Sequence, residues 1–456
     1  MTARHTRRHR REGYEKAPRG APWAAIALLV ATGCAHRPEQ DQAWSRRDLE
    51  ARTGLSTTSE KTDESPLIAV GGELDAREAT ELALQNSPAF AADVARLQAA
   101  EADVQIARQI ENPRLSVLGP FGTISASATL LVPLTSLLQR PARTKAAARA
   151  QEAAAESLVQ TGLDLVRDVR VAYADCLLAQ RQETIRDELA GFAKELADLT
   201  DTRVVTGELA GAQGDAVRAD AERAVDALSV TKTQRGLCRA RLETLVGVSP
   251  LPPLVATDLR VARQAPALDE LLGVAKDARP DVRASRLQLE AAGARAGWER
   301  WRILSVSAQA DLQWTSDAVG ARVGGSVELP VFNQNRGGVA KAEAEVALAW
   351  HRVEGLRQQV VLEVVTSRSQ FEQAQQSEDR YTQTIVPALE RTFDAASLRF
   401  NTGDDSYLPV LDALRQLADA RLRTAELQAD VRRAWAELER ATGAQLQANA
   451  PKEVAS

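Results

Sequence analysis

Leu304-Ser305-Val306-Ser307-Ala308-Gln309-Ala310-Asp311-Leu312-Gln313-Trp314-Thr315 alternates apolar and polar residues without a slip. Every even position is apolar and every odd one polar, the period-two pattern of a strand with two different faces. After a short break the alternation resumes: Ala321, Val323, Gly325, Val327 and Leu329 point one way, and Arg322, Gly324, Ser326 and Glu328 the other. Two such segments predict a hairpin, and their length is near the ~9 to 11 residues that a tilted strand needs to cross a bilayer. A hairpin half-buried on a soluble domain shows the same alternation, so the surrounding sequence has to decide between the two.

An echo lies upstream, where Ile124, Ala126, Ala128, Leu130 and Val132 alternate mainly with Ser125, Ser127 and Thr129. The echo belongs to a longer internal repeat. Pro88 in Gln85-Asn86-Ser87-Pro88 matches Pro280 in Asp277-Ala278-Arg279-Pro280 at an offset of 192 (280 − 88), and Pro133 matches Pro330 at 197 (330 − 133). Arg140 and Lys145 match Arg336 and Lys341, Thr206-Gly207 matches Thr402-Gly403, and the segment ending in Gly247 matches the one ending in Gly443, all at 196 (443 − 247). Five landmarks in one order predict a tandem duplication, where a chain of 456 residues would otherwise suggest about three unrelated domains.

Each copy has the same order of elements. A helix begins near Leu74 or Leu268 and passes the Pro to about Ile110 or Trp301. A β-rich segment follows, at about 114–132 in the first copy and 303–329 in the second. Next comes a very long helix, in the first copy from Arg140 to Arg203, which at ~1.5 Å per residue is roughly 95 Å. Gly207 or Gly403 turns the chain, and a shorter helix returns to Gly247 or Gly443 as its stop. Ile185, Leu189, Phe192, Leu196 and Leu199 step by four and three, the spacing of a coiled-coil seam. The composition, 44% hydrophobic but only 4% aromatic, suits closely packed helices better than a bulky globular core. Basic and acidic residues, 57 against 62 for a net charge of −5, are interspersed along the helices, which gives no basic stripe and no reason to expect nucleic acid.

The expected fold class is therefore mainly α with a small membrane β-barrel contribution, a tandem-repeat protomer of long coiled-coil helices plus four transmembrane strands. The first repeat is placed at 73–250 with its tip at about 204–210, the second at 251–445 with its tip at about 400–408, and a C-terminal tail at 446–456.

At the N-terminus, Arg4, Arg7, Arg8, Arg10, Arg11, Lys16 and Arg19 precede the apolar run from Ala21 to Val30. This is the pattern of an export signal, and the run is too short to span a bilayer. Ala31-Thr32-Gly33-Cys34 resembles a bacterial lipobox, although Ala31 stands where Leu is usual. It implies a lipoprotein signal at 1–33, lipidation of Cys34, and a linker at 34–72; Ala35 points to outer-membrane sorting. Ordinary signal-peptidase cleavage nearby is the alternative. No later run of eighteen or more apolar residues occurs, so any crossing falls to the strands. Four strands cannot close a barrel and open edges cannot face lipid, whereas three protomers with four strands each would make a closed barrel of twelve.

The segment from Glu73 to Pro88 is similar to the opening helix of the TolC outer-membrane efflux family, and Gly403 to Arg415 is similar to its second periplasmic turn. The likeness runs from about Leu74 to Gly443. Pro330-Val331-Phe332-Asn333-Gln334-Asn335-Arg336-Gly337-Gly338 resembles the subfamily that serves heavy-metal exporters of the cobalt-zinc-cadmium and copper-silver kind. The resemblance implies a homotrimer with a twelve-stranded β-barrel in outer-membrane lipid and an α-barrel in the periplasm. It also implies a periplasmic adaptor at the helical tips, an inner-membrane resistance-nodulation-division pump, and passive conduction of metal cations or drugs to the exterior.

In that family acidic residues after the second tip ring the entrance. Asp412 stands at a matching position, Pro409 replaces another acid, and Asp405 stands where some members carry a basic gating residue. Asp404, Asp405 and Asp412 are thus the candidate gate, since three copies near one axis would concentrate negative potential and favour cations. Solvated turn acids without a task are the plain alternative. Pro387, inside the second long helix, removes a backbone hydrogen bond, and its counterpart at the same offset is Gly191; the two are candidate hinge positions.

Cys176 and Cys238 lie equally far from the first tip (205 − 176 and 238 − 209), so antiparallel helices would set them at one level. A disulfide can form there in an oxidising compartment. Cys238 also shares a seam with Leu242 and Leu245, which fits a buried free thiol as well. His5, His9, His36 and His351, with the lone Met1, lack the spacing of Zn²⁺ or Cu⁺ ligands. No Walker, dinucleotide, nucleophile-elbow or zincin motif is present, so neither catalysis nor a cofactor nor a bound metal is expected. The rival reading is a non-conducting periplasmic coiled-coil scaffold or adaptor lipoprotein, which would need the helices but not the hairpins. A peptidoglycan-processing enzyme would need a catalytic constellation that the sequence lacks.

Overall fold

Both repeats fold into helices of closely matched length. The first comprises α2 (Ala76–Asn86), α3 (Pro88–Arg108), β1 (Arg114–Leu118), β2 (Ile124–Pro133), α4 (Thr135–Val205) and α5 (Gly211–Val246), preceded by α1 (Glu39–Thr53). The second comprises α6 (Leu268–Ala278), α7 (Pro280–Glu299), β3 (Ser305–Thr315), β4 (Val319–Glu328), α8 (Arg336–Arg380), a π turn (Tyr381–Ile385), α9 (Val386–Thr402) and α10 (Tyr407–Thr442). The structure is a computed structural model that describes residues 39–57, 72–119, 124–255, 264–315, 318–402 and 407–446. The expected signal segment 1–33, Cys34, Asp404, Asp405 and the tail beyond residue 446 lie outside the described residues.

Local chemistry places the breaks. Asp75 accepts the Glu78 amide at 2.7 Å while the Glu78 carboxylate takes the Asp75 amide at 3.4 Å, a capping box that starts α2. Ser87 ends α2 and caps α3, with Pro88 in the first turn, and Arg279 and Pro280 make the equivalent break between α6 and α7. Gly247 and Gly443 end α5 and α10 with φ of 74° and 71°. A Cβ on Gly247 would lie 2.9 Å from the Asn86 carbonyl oxygen, and one on Gly443 would lie 3.1 Å from the Arg279 Cα. The same joint is thus built twice, a left-handed glycine seated on the kink before a helix-starting proline. Gly247→Ala should destabilise the fold by about 1–3 kcal/mol; a denaturation midpoint equal to that of the unmodified chain would show that the joint yields.

The long helix is longer than expected. It starts at Thr135 instead of Arg140 and has 71 residues, roughly 107 Å at ~1.5 Å each. The Leu134 carbonyl accepts the amides of Leu137 and Leu138 directly after β2, and the helix continues through Pro141. Pro141 lacks the N–H that would bond the Leu137 carbonyl, a loss that water can offset because Leu137 and Leu138 are exposed. The expected seam holds at Ile185 and Leu196, which are buried, and partly at Leu189 and Phe192. Leu199 is exposed; near the tip the contact shifts to Ala193 and Ala197, whose small side chains let α5 approach closely.

The segment 34–72, expected as a linker, contains α1, whose Leu49 is buried with Leu55 in the core of the first repeat. Arg52 on α1 donates to the carbonyls of Ala278 at 2.6 Å and Gly443 at 2.9 Å. Those bonds, which no local pattern encodes, seat α1 on the second repeat. Two equivalent cores result: Leu84, Leu97, Val159, Val166 and Tyr173 in the first, and Leu271, Val282, Val360, Phe371 and Trp435 in the second. On the strand side the helices lie in the order α3, α4, α7, α8, and toward the tips in the order α5, α4, α10, with α10 packed on α8 and α9.

All four strands form one antiparallel sheet in the order β1-β2-β3-β4, within the windows expected from the alternation except that β2 runs one residue further, to Pro133. The registers compound into rows that run across all four strands. Leu115, Leu130, Ala310 and Val323 form one row and Val117, Ala128, Leu312 and Ala321 another, while Ser116, Thr129, Asp311 and Arg322 form a row between them. One face of the sheet is therefore apolar across both repeats and the other mainly polar, with Leu118 and Leu131 as the large apolar exceptions on it. Among the described residues no helix is long and apolar enough to cross a membrane.

Candidate functional site

The polar face of the sheet is a connected surface. Thr129 Oγ1 donates to Asp311 at 2.7 Å and Gln309 Nε2 donates to the same carboxylate at 2.9 Å. Arg322 donates to Gln313 at 2.6 Å, and the Ser307 and Ser326 hydroxyls meet at 2.6 Å. On the other face large apolar side chains stand open, with Val323 87% and Val117 68% exposed. Apolar rows backed by polar ones suit lipid on one side and water on the other. β1 and β4 leave one edge each unpaired, which hydrocarbon does not tolerate.

Below the sheet, where the repeats meet, sits a charge network that the sequence did not reveal. Arg279 is only 1% exposed. It pairs with Glu363 on α8 at 2.6 Å and with Asp281 on α7, and it donates to the Ala441 carbonyl at 3.2 Å. Glu363 also receives Arg440 at 3.1 Å, Arg440 pairs with Glu437 at 2.6 Å, and Glu437 reaches Arg167 on α4 at 3.1 Å. Arg170 on α4 pairs with Glu439 on α10. Burial works against the charge of Glu363, but the hydrogen bond and field of Arg279, joined by Arg440, hold its carboxyl below the usual range. Burial pushes Glu439 and Asp164 upward. The network has no nucleophile and holds α4, α7, α8 and α10 in register. The one available sequence signal was Arg279 at a helix cap where the first copy has Ser87.

At the far end the tips are tied together. Ala193, Leu196 and Ala197 of α4 pack with Val217 and Ala221 of α5 and Leu411 of α10. Phe192 and Phe393 meet edge to face at 5.8 Å, and the Arg203 guanidinium lies over the Phe400 ring at 4.9 Å. Arg218 pairs with Asp201 at 2.9 Å, and Arg415 on α10 pairs with Asp220 on α5 at 2.5 Å. Asp412 is exposed on the first turns of α10 and accepts a hydrogen bond from Gln416 at 2.8 Å.

Pro387 is the second residue of α9, directly after the π turn in which the Val386 amide bonds the Tyr381 carbonyl. Gly191 lies in the unbroken α4, and a Cβ there would meet nothing within 4 Å. Cys176 and Cys238 are free thiols brought together between α4 and α5. The contact with Cys238, followed by burial, pushes the Cys176 thiol up. Among the described residues no group of three or more His, Cys, Asp or Glu is arranged to hold a metal ion.

The outer membrane efflux protein family profile matches the chain twice, over residues 79–248 and 271–444. The chain belongs to that family: it is an outer-membrane efflux channel with a TolC-like fold, and its family is one of efflux proteins, not enzymes. It is 29% identical over 361 residues to the cobalt-zinc-cadmium resistance protein CzcC of Cupriavidus metallidurans, covering 77% of this chain and 86% of that protein. To the nickel-cobalt-cadmium resistance protein NccC of Alcaligenes xylosoxydans xylosoxydans it is 27% identical over 330 residues, covering 66% of this chain and 74% of that protein. The outer membrane protein VceC of Vibrio cholerae superposes with a TM-score of 0.69 at 20% identity, covering 81% of this chain and 96% of that one, a likeness of fold. The expected family and fold class hold.

Proposed function

We propose that the chain works as a ring of three that conducts divalent metal cations, handed on by a periplasmic adaptor and an inner-membrane resistance-nodulation-division pump. Lipid on Cys34 would anchor each copy to the outer membrane. The observation that carries the assembly is the sheet, whose faces suit a barrel wall and whose two open edges require neighbours. The likeness to CzcC and NccC over most of the chain favours metals over drugs as cargo. A strain lacking this chain should lose survival on cobalt, zinc or cadmium and regain it on complementation. Unchanged metal survival with lost tolerance of drugs and dyes would sink the metal assignment.

Within this reading Asp404, Asp405 and Asp412 gather negative potential at the entrance. Asp412→Ala should weaken block of the single-channel current by multivalent cations, and unaltered block and conductance would remove Asp412 from the gate. Pro387, beside its π turn, and Gly191 are the positions at which the long helices would bend. Cys176 and Cys238 would oxidise in the periplasm to a staple between α4 and α5. Peptide mapping of envelope-derived protein should return the two linked, and free thiols at both would dismiss the staple.

A further inference from the structure

The strands carry four charged residues, Arg114 on β1, Asp311 on β3, and Arg322 and Glu328 on β4. Asp311 is held by Thr129 and Gln309, and Arg322 by Gln313. Arg114 and Glu328 remain, both exposed, and among the described residues no ion pair reaches either. They stand on the two strands whose outer edges are open: Arg114 is the first residue of β1, and Glu328 is the last of β4. Arg114 shares its face with Ser116, and Glu328 shares its face with Arg322. Ser116 and Arg322 belong to one polar row, so both charges stand on the polar face at the helix end of the sheet.

The register says how far apart these positions fall in a closed ring. The row through Arg114 continues to Leu131, Gln309 and Gly324. At β1 that row is the end of the strand, whereas β2 runs on to Pro133, β3 begins back at Ser305 and β4 runs on to Glu328. The strand ends lie no residues beyond the row at β1, two at β2 (133 − 131), and four at both β3 (309 − 305) and β4 (328 − 324), where Ser305 faces Glu328, a stagger in the sense of a tilted barrel wall. Carrying the step over to a neighbouring β1, with its end at the level of the first, sets Arg114 opposite Glu328 or just past it. Facing and diagonal neighbours on paired antiparallel strands lie about 4.5–8 Å apart, within reach of an arginine.

We propose that Arg114 of one protomer pairs with Glu328 of the next, an ion pair repeated at every seam that sets the register in which β1 joins β4. The proposal rests on the ring of three described above. It also gives the interface a direction, because β1 meets β4 and never itself, so the contact is head-to-tail and closes by rotation. At roughly two- to five-fold per seam, three seams together shift dissociation into three separate subunits by on the order of ten- to a hundredfold.

The test uses the full chain extracted from outer membranes. R114E and E328R should each lower the temperature at which the oligomer dissociates in detergent, and the double variant R114E/E328R should restore it. Because a single variant can simply fail to insert, a second arm replaces both residues with Cys in a Cys176→Ala, Cys238→Ala background. A short thiol cross-linker should then yield covalent dimers and trimers that neither single-cysteine control gives. An unmodified chain that extracts as a monomer would overturn the ring and the seam together. A trimeric chain whose double reversal gives no rescue, or whose cysteine pair cross-links no better than the controls, would overturn the seam alone.

Discussion

Val323→Arg should cost roughly 2–4 kcal/mol in each protomer if that residue faces the bilayer midplane, and outer-membrane insertion should fail or fall steeply. Val323 lies near the middle of β4, 87% exposed, in a row with Ala310, Leu130 and Leu115. An arginine there would have to desolvate or pull water into hydrocarbon. Arg322, the preceding residue, points to the polar face, where its guanidinium already meets Gln313. Arg322→Gln should therefore leave insertion intact. Trypsin-protected protein in the outer-membrane fraction reads both variants, and equal behaviour of the two would contradict the assignment of faces.

Arg279→Leu should destabilise the fold by about 3–5 kcal/mol, the cost of leaving buried charges without their partner. It takes from Asp281 its arginine, leaves Glu363 with only Arg440 and Gln359, and frees the Ala441 carbonyl. Arg96→Ala, whose side chain is 78% exposed, should change stability by no more than about 0.5 kcal/mol. The pH dependence separates charge from packing. In the unmodified chain the Glu363 carboxyl is held below its ordinary value of 4.5. The stability it contributes is present above that value and is lost as pH falls through the folded-state pKa. Without Arg279 only Arg440 and Gln359 oppose the effect of burial, so the same carboxyl moves upward, and protonation relieves the variant as pH falls. Urea midpoints of the two chains should differ most near neutral pH and converge below about pH 4.5. A constant gap would mean that Arg279 acts through packing alone.

The sheet and the repeat were legible because both are written in short-range periodicity. Alternation at Leu304 to Thr315 and a steady offset between Gly247 and Gly443 need no knowledge of distant contacts. The start of α4 was misjudged because Pro141 reads as a boundary, although a proline near an exposed helix end can be carried. α1 was missed because it has little apolar stripe of its own; Arg52 docks it on carbonyls at residues 278 and 443. The Arg279 network was hidden for the same reason, since its partners at 281, 363 and 441 converge only after folding. Asp412, proposed for the entrance, could be named from resemblance, but its pairing with Gln416 and the Arg415 to Asp220 bridge beside it depend on how α10 sits on α5. The π turn before Pro387 follows from the missing amide, while at the matching position Gly191 still supplies its N–H and the helix runs on through it.

Native mass spectrometry of the chain, extracted from outer membranes in mild detergent, tests the shared barrel most directly. The account predicts a complex of three chains, so that twelve strands close the wall. A predominantly monomeric species that keeps its β-structure would contradict it, because four strands with two bare edges would then be stable in a lipid-like environment.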